Sequence, residues 1–139
     1  MIQLIVGEKG KGKTKVLLDK ANTEVKNAHG SIVYLDKSAK HMYELNNKVR
    51  LIDVSGFDLQ SSGEFLGFIY GIISQDHDLE QMYLDSFLKI SASDEATVNE
   101  LLEKLVQIGE KFHVTFVISI SVNAAAISEN LKENIIAEL

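Results

Sequence analysis

The chain has 139 residues, of which 45% are hydrophobic and 24% are charged, and it contains no cysteine. This length and balance predict one globular domain with its own core, and the lack of cysteine excludes a disulfide framework and a thiolate metal site. The net charge of −6 disfavours a general nucleic-acid binder. The sequence shows no signal peptide and no apolar run long enough for a membrane span, so we expect a cytoplasmic protein.

The charge is unevenly distributed along the chain. Residues 1–50 hold ten of the fourteen Lys and Arg residues but only five of the twenty Asp and Glu residues. Two interpretations remain open for these lysines: they are solvated loop residues, or they attract a polyphosphate.

The first predicted elements are a strand, a glycine-rich loop and a helix. Residues 2–6 form a short apolar strand, and apolar residues at helical spacing predict a helix over residues 13–27. Between them, residues 7–14 read G-x-x-x-x-G-K-T, the phosphate-binding loop motif of P-loop nucleotide-binding proteins. Such a loop gathers backbone N–H groups at the positive end of a helix. The residues predicted to contact the nucleotide are Gly7, Glu8, Lys9, Gly10, Lys11, Gly12, Lys13, Thr14 and Lys15.

The motif assigns two side chains to the phosphates and the metal. Lys13 is expected to reach the β- and γ-phosphates, and the Thr14 hydroxyl is expected to hold Mg²⁺. The predicted cofactors are therefore ATP and Mg²⁺.

The middle of the chain continues the alternation. Residues 31–35 form a second predicted strand that closes at Asp36, and residues 38–45 are expected to form a short helix or a helical turn. Residues 49–54 form a third predicted strand, and residues 57–61 a loop.

Residues 62–75 predict an apolar helix in which Gly63, Gly67 and Gly71 lie on one face. We interpret this face as a close approach to a neighbouring backbone in the core, in preference to a protein–protein contact.

The last third adds two strands and a long helix. Residues 81–84 predict a strand ending at Asp85, and Ser93 is expected to cap a helix that reaches about Lys111, with Asp94 and Glu95 in its first turn. Residues 114–120 predict a strand covered on both faces. A helical turn is expected near residues 129–133, and residues 135–138 are compatible with either a strand or more helix.

This order predicts a three-layer α/β/α sandwich around a mostly parallel sheet of five or six strands, the P-loop nucleotide-binding fold. Ligands of such sheets lie beyond the carboxyl ends of the strands. The residues at those predicted ends are Gly7, Asp36, Asp53, Asp85 and Ser121.

A P-loop enzyme also needs an acidic residue at a strand end to support Mg²⁺. Tyr83-Leu84-Asp85-Ser86 resembles the Walker B strand of RecA-like ATPases. That resemblance implies that Asp85 supports the metal and that Asp36 takes the place of a glutamate that activates water. It also implies that Ser119 or Ser121 is a polar sensor, and that residues 49–54 are an added strand.

Asp53 is the alternative metal residue, because Asp53-Val54-Ser55-Gly56 matches the D-x-x-G motif of small GTPases. The guanine-reading N-K-x-D motif is absent, since alanines follow Asn123. We therefore favour Asp85 over Asp53 and ATP over GTP, and keep GTP as the alternative.

The chain also resembles short stand-alone P-loop proteins that are labelled PilT-like, or twitching-motility, ATPases. That resemblance would imply a ring-forming motor, but the extra N-terminal domain and the acidic and histidine boxes of such motors are absent, so the motor function is not transferred. Position 86 is serine where a glutamate is expected, and Arg50 is the only arginine. An arginine-finger role would fall to Arg50, to a lysine, to a partner chain or to nothing.

The sequence thus predicts a Mg²⁺-dependent ATP-binding protein with slow or partner-stimulated ATPase activity, with Lys13, Asp85 and Asp36 as the catalytic residues. One alternative is a nucleotide-dependent binding or regulatory module with little hydrolysis. A phosphotransferase with a small acceptor is the least supported. A second copy of the chain or another protein is an open partner.

Overall fold

A six-stranded, all-parallel sheet forms the centre of the fold in a computed structural model that describes all 139 residues. The strands are β1 (Ile2–Val6), β2 (Ser31–Asp36), β3 (Val49–Asp53), β4 (Leu79–Leu84), β5 (Thr115–Ile120) and β6 (Ile135–Glu138). Their order across the sheet is β3-β2-β4-β5-β1-β6. The helices are α1 (Lys13–Glu24), α2 (Ser62–Ser74), α3 (Phe87–Ile90) and α4 (Val98–Phe112).

The two faces of the sheet bury separate cores, because successive side chains of a strand point to opposite faces. In β1, Leu4 and Val6 belong to a core of 27 buried residues that includes side chains of α2 and α4. Ile5, between them, belongs to a core of ten buried residues that includes Leu17 and Leu18 of α1. The predicted three-layer α/β/α sandwich is therefore confirmed.

The fourth helix begins later than predicted. Ser93 does not cap it: α4 starts at Val98, and Thr97 is the capping position. Asp94 and Thr97 instead close a local turn, in which the Thr97 N–H donates to Asp94 Oδ1 at 3.0 Å and the Asp94 N–H donates to Thr97 Oγ1 at 3.2 Å. Asp and Thr side chains compete with a helix in this way. The short helix α3, which precedes this turn, was not predicted.

The interpretation of the α2 glycines as a core contact is wrong. Gly67 and Gly71 are exposed, and a Cβ atom built on either would meet nothing within 4 Å. A Cβ on Gly63 would meet only Ser61 Oγ, at 3.8 Å. The buried face of α2 is formed instead by Phe65 and its apolar neighbours.

Residues 135–138, left open by the sequence, form a strand. β6 pairs in parallel with β1, and the Leu139 N–H donates to the Val6 carbonyl at 2.9 Å. The strand that leads into the glycine-rich loop is therefore hydrogen-bonded on both sides. None of the helices combines the length and the apolar character that a membrane span requires.

Candidate functional site

The glycine-rich loop presents free backbone donors at the carboxyl end of β1. Gly10 and Gly12 have φ angles of 85° and 95°, in the left-handed region that favours glycine. None of the backbone N–H groups of residues 8–12 donates a hydrogen bond within the protein, and Gly12 is the capping position of α1. The loop therefore offers its donors, together with the positive end of α1, to an anion.

Lys13 lies within the loop and not in solvent. Its side chain is only 8% exposed, and Nζ donates to the Glu8 carbonyl at 2.9 Å. Burial lowers the pKa of Lys13, and the charge of Asp85 opposes this shift. The ammonium group is thus held beside the loop by a backbone oxygen.

Asp85 follows β4 and accepts hydrogen bonds on both carboxylate oxygens. Oδ1 accepts from Thr14 Oγ1 at 3.2 Å, from the Ser86 N–H at 2.9 Å and from Ser119 Oγ at 2.6 Å. Oδ2 accepts from the Tyr34 hydroxyl at 2.8 Å. Only β5 separates β4 from β1, so the strand order brings Asp85 to the helix that begins after the loop. Thr14 and Asp85, the two predicted metal residues, are therefore neighbours.

Asp36 ends β2, next to β4, and is almost fully covered. It is 2% exposed, its Oδ1 accepts from the Lys37 N–H at 2.7 Å, and its Oδ2 has no hydrogen-bond partner. Burial, and then the charge of Asp85, raise the pKa of Asp36. A buried carboxylate oxygen without a donor is costly, which marks Asp36 as a functional candidate.

A cavity of about 510 Å³ opens between the loop, β4, β5 and the segment after β2. Asp85 is its only acidic lining residue, and Leu88 is its only hydrophobic one. Both sensor candidates, Ser119 and Ser121, also line it. Its lysines come from three places in the chain, the loop, the segment after β2 and α3, and none of them forms a salt bridge: Lys9, Lys13, Lys37, Lys40 and Lys89.

The cavity includes only part of the predicted nucleotide-contacting segment. Of the nine predicted residues, those that line it are Lys9, Gly10, Gly12, Lys13 and Thr14. Gly7 and Glu8 lie at the base of the loop, and the Glu8 carbonyl accepts a hydrogen bond from Lys13 Nζ. Lys11 is exposed outside the cavity, and Lys15 pairs with Asp19 at 3.4 Å on the outside of α1.

Two predicted candidates lie away from this cavity. Asp53 ends the edge strand β3, separated from β1 by three strands, and its Oδ1 accepts from the Ser55 N–H at 3.0 Å and the Ser55 hydroxyl at 2.6 Å. Arg50 donates to Asp76 at 3.5 Å. Asp76 precedes β4, at the amino ends of the strands, whereas Asp85 follows β4 at their carboxyl ends. The structure thus brings neither the D-x-x-G carboxylate nor the single arginine to the loop.

Several residues of the site were not selected from the sequence: Tyr34, Lys37, Lys40, His41, Leu88 and Lys89. A tyrosine in an otherwise aliphatic strand is a usable signal, because a buried hydroxyl needs a partner. Lys89 lies one helical turn after Asp85, a spacing that places it at the same end of the sheet. Lys37 and Lys40 directly follow the predicted strand-end residue Asp36.

Comparison with known proteins assigns no family to the chain: no protein-family model matches it, and no curated protein matches it either.

Proposed function

We propose that the protein binds a nucleoside triphosphate with Mg²⁺, with ATP as the favoured nucleotide, and that it hydrolyses the nucleotide slowly or when stimulated by a partner. The observation that carries this proposal is the contact of the Thr14 hydroxyl with the Asp85 carboxylate, 3.2 Å apart, directly after a loop of unbonded N–H groups. The resemblance to RecA-like ATPases belongs to the same proposal.

The residues present suit both parts of the ligand. The free N–H groups of residues 8–12, Lys13 and the other lysines of the cavity would bind the phosphates. Mg²⁺ is usually held by one or two protein groups together with phosphate oxygens and water. Thr14 and Asp85 would supply those groups, although no cluster of three or more His, Asp or Glu side chains forms a protein-only metal site. A bound Mg²⁺ would neutralise charge that develops on the phosphates.

Two observations, one on Asp36 and one on Lys13, support slow hydrolysis. Asp36, the proposed acceptor of a proton from water, is 2% exposed and does not line the cavity. Lys13 is bonded to the Glu8 carbonyl and must exchange that bond for a phosphate. A rearrangement of the loop and of the segment after β2 therefore precedes reaction, and a partner is able to favour it.

The same observations support a second candidate, a nucleotide-dependent binding module with little or no hydrolysis. The single arginine is paired with Asp76 at the amino ends of the strands, away from the loop. No arginine of this chain therefore stabilises the transferred phosphoryl group. GTP, the alternative nucleotide, would then bind at the same loop and not through Asp53.

Isothermal titration with ATP in the presence and absence of Mg²⁺ tests the binding proposal. We expect saturable binding that Lys13→Ala and Asp85→Ala weaken by at least about tenfold, while Lys104→Ala, an exposed change on α4, leaves it unchanged. No detectable binding at millimolar ATP by folded protein would refute the proposal.

Phosphate release by the same samples separates the two candidates. Turnover near or above about 1 s⁻¹ by the isolated chain would exclude the binding module, because that rate lies within the usual range of enzymes. Slow turnover that Asp36→Asn abolishes without weakening ATP binding would favour the ATPase.

A further inference from the structure

The lining of the cavity is poor in the groups that recognise a nucleobase. A base is normally held by aromatic or apolar side chains that stack on it and by amide or backbone groups that read its edge. Of the 14 residues that line the cavity, only Leu88 is hydrophobic, and none is a phenylalanine, a tyrosine, an asparagine or a glutamine. His41 is the one aromatic ring of the lining, and its Nδ1 is hydrogen-bonded to Glu44 Oε2 at 2.5 Å. The exposed aromatic side chains Tyr43, Phe57, Tyr70 and Phe112 do not line it.

Asn123 follows β5, at the same end of the sheet as the glycine-rich loop. The Asn123 side chain accepts from the Ala125 N–H at 3.0 Å and caps the helical turn of residues 124–126. It does not line the cavity. Besides His41 and Leu88, the side chains of the lining are therefore lysines, small hydroxyls and Asp85, which offer a base no stacking platform.

The phosphate end of the site is, by contrast, strongly built. Five lysines and one carboxylate line the cavity, and no lysine among them has a salt-bridge partner. Lys37 and Lys89 come from the segment after β2 and from α3, whereas Lys9 and Lys13 come from the loop, so separate segments of the chain bring positive charge to one cavity. Most of the interaction available to a nucleotide is with its phosphates.

We infer that this site recognises the triphosphate chain and not the base. ATP, GTP, CTP and inorganic tripolyphosphate then bind with similar affinity, and the chemical class of the ligand is a linear polyphosphate with or without a nucleoside. This inference rests on the proposed function and specifies its ligand.

A comparison of the dissociation constants of the four ligands tests this inference. Dissociation constants are measured by isothermal titration with the full chain, in the same buffer and with Mg²⁺ in excess. We expect the three nucleotides to agree within about threefold, and tripolyphosphate to lie within about tenfold of ATP. A site that reads the base would separate them by about a hundredfold or more.

The outcomes distinguish the inference from the proposed function. If ATP binds more than about tenfold tighter than GTP, CTP and tripolyphosphate, the inference is overturned and the nucleotide-binding proposal stands. If folded protein binds none of the four, both fail.

Two lysine variants give a second readout. The double change Lys37→Ala, Lys89→Ala is expected to weaken all four ligands by the same factor, about tenfold at low salt, whereas Lys104→Ala on α4 changes none. Circular dichroism confirms that each variant is folded. A double variant that loses affinity for the nucleotides but retains full affinity for tripolyphosphate would overturn the inference.

Discussion

Asp85 connects the separate elements of the candidate site. Three of its four donors are hydroxyls, from the start of α1, from β2 and from β5, and each belongs to a residue that is buried or half-buried. The fourth donor is the backbone N–H of Ser86. Outer donors of this kind fix the direction in which a carboxylate faces a metal. Tyr34 is the one donor to Oδ2, so its hydroxyl decides whether that oxygen stays fixed.

Removing that hydroxyl should leave the Asp85 carboxylate less firmly oriented toward Mg²⁺, without changing the contacts that the loop offers to the phosphates. We expect Tyr34→Phe to raise the Mg²⁺ concentration that ATP binding requires by about tenfold, while binding in EDTA stays unchanged. Titration of Mg²⁺ at fixed ATP measures this. Tyr83→Phe is the matched control, because Tyr83 stacks on Tyr34 at 6.1 Å but donates to Gln81. An equal shift in both variants would mean that the effect comes from core packing.

Asp36 should make stability depend on pH. Its pKa in the folded protein is raised by burial and by Asp85, so its contribution to stability is full below the unfolded pKa near 3.8 and is lost as the pH rises through the folded pKa. At neutral pH the buried charge therefore destabilises the fold. We expect Asp36→Asn to increase the free energy of unfolding at neutral pH by about 1–3 kcal/mol, with the gain shrinking in acid.

Urea unfolding of wild type and Asp36→Asn, at neutral pH and near pH 4, measures this difference. Asp53→Asn is the control, since Asp53 ends the neighbouring strand but its carboxylate is bonded to Ser55. A gain of the same size at both pH values would show that the charge of Asp36 is not the cause.

At the scale of elements, two helices contain glycines in opposite surroundings. Gly67 of α2 is exposed with open space around a built Cβ, whereas a Cβ on Gly109 of α4 would lie 2.8 Å from the Val114 carbonyl oxygen. In α2 the glycine therefore only weakens the helix, by about 1 kcal/mol against alanine. In α4 it allows β5 to begin directly beneath the helix.

A glycine-to-alanine substitution should consequently have opposite effects on stability in the two helices. Gly67→Ala is expected to stabilise the protein by about 0.5–1 kcal/mol, and Gly109→Ala to destabilise it by about 1–3 kcal/mol through overpacking. Thermal unfolding of the two single variants measures both. Destabilisation by Gly67→Ala would indicate that the α2 face is covered by another molecule in solution.

At the scale of the whole molecule, the sequence predicts what is local and misses what crosses strands. The strand before the loop and the helix after it follow from residues that are adjacent in the chain. The strand forms as expected, and the helix begins at Lys13 as expected but ends at Glu24, three residues before the predicted end. Tyr34 and Asp85 are 51 positions apart in the sequence, and their contact depends on β2 lying beside β4 in the sheet. No periodicity encodes that neighbour. The start of α4 was missed for a local reason, because an Asp94–Thr97 turn and a helix cap use the same residue types.

The charge of the whole molecule gives the last prediction. The net charge is −6, yet five lysines without salt-bridge partners line one cavity, so an anion that binds there meets concentrated positive charge. Mg·ATP at about 100 times its dissociation constant should raise the free energy of unfolding by about 2.7 kcal/mol, and Tm by about 8 °C for a chain of this size.

With the Mg·ATP concentration held fixed, sodium chloride should reduce this gain, because screening of the lysines raises the dissociation constant as the Debye length falls from about 10 Å at 0.1 M to about 3 Å at 1 M. Thermal unfolding with and without Mg·ATP, at low and high salt, measures the effect, and Lys13→Ala should show little gain at either. Sodium chloride without nucleotide is the control, since salt alone also changes Tm. A gain that is independent of salt and survives in Lys13→Ala would place the nucleotide outside the lysine-lined cavity.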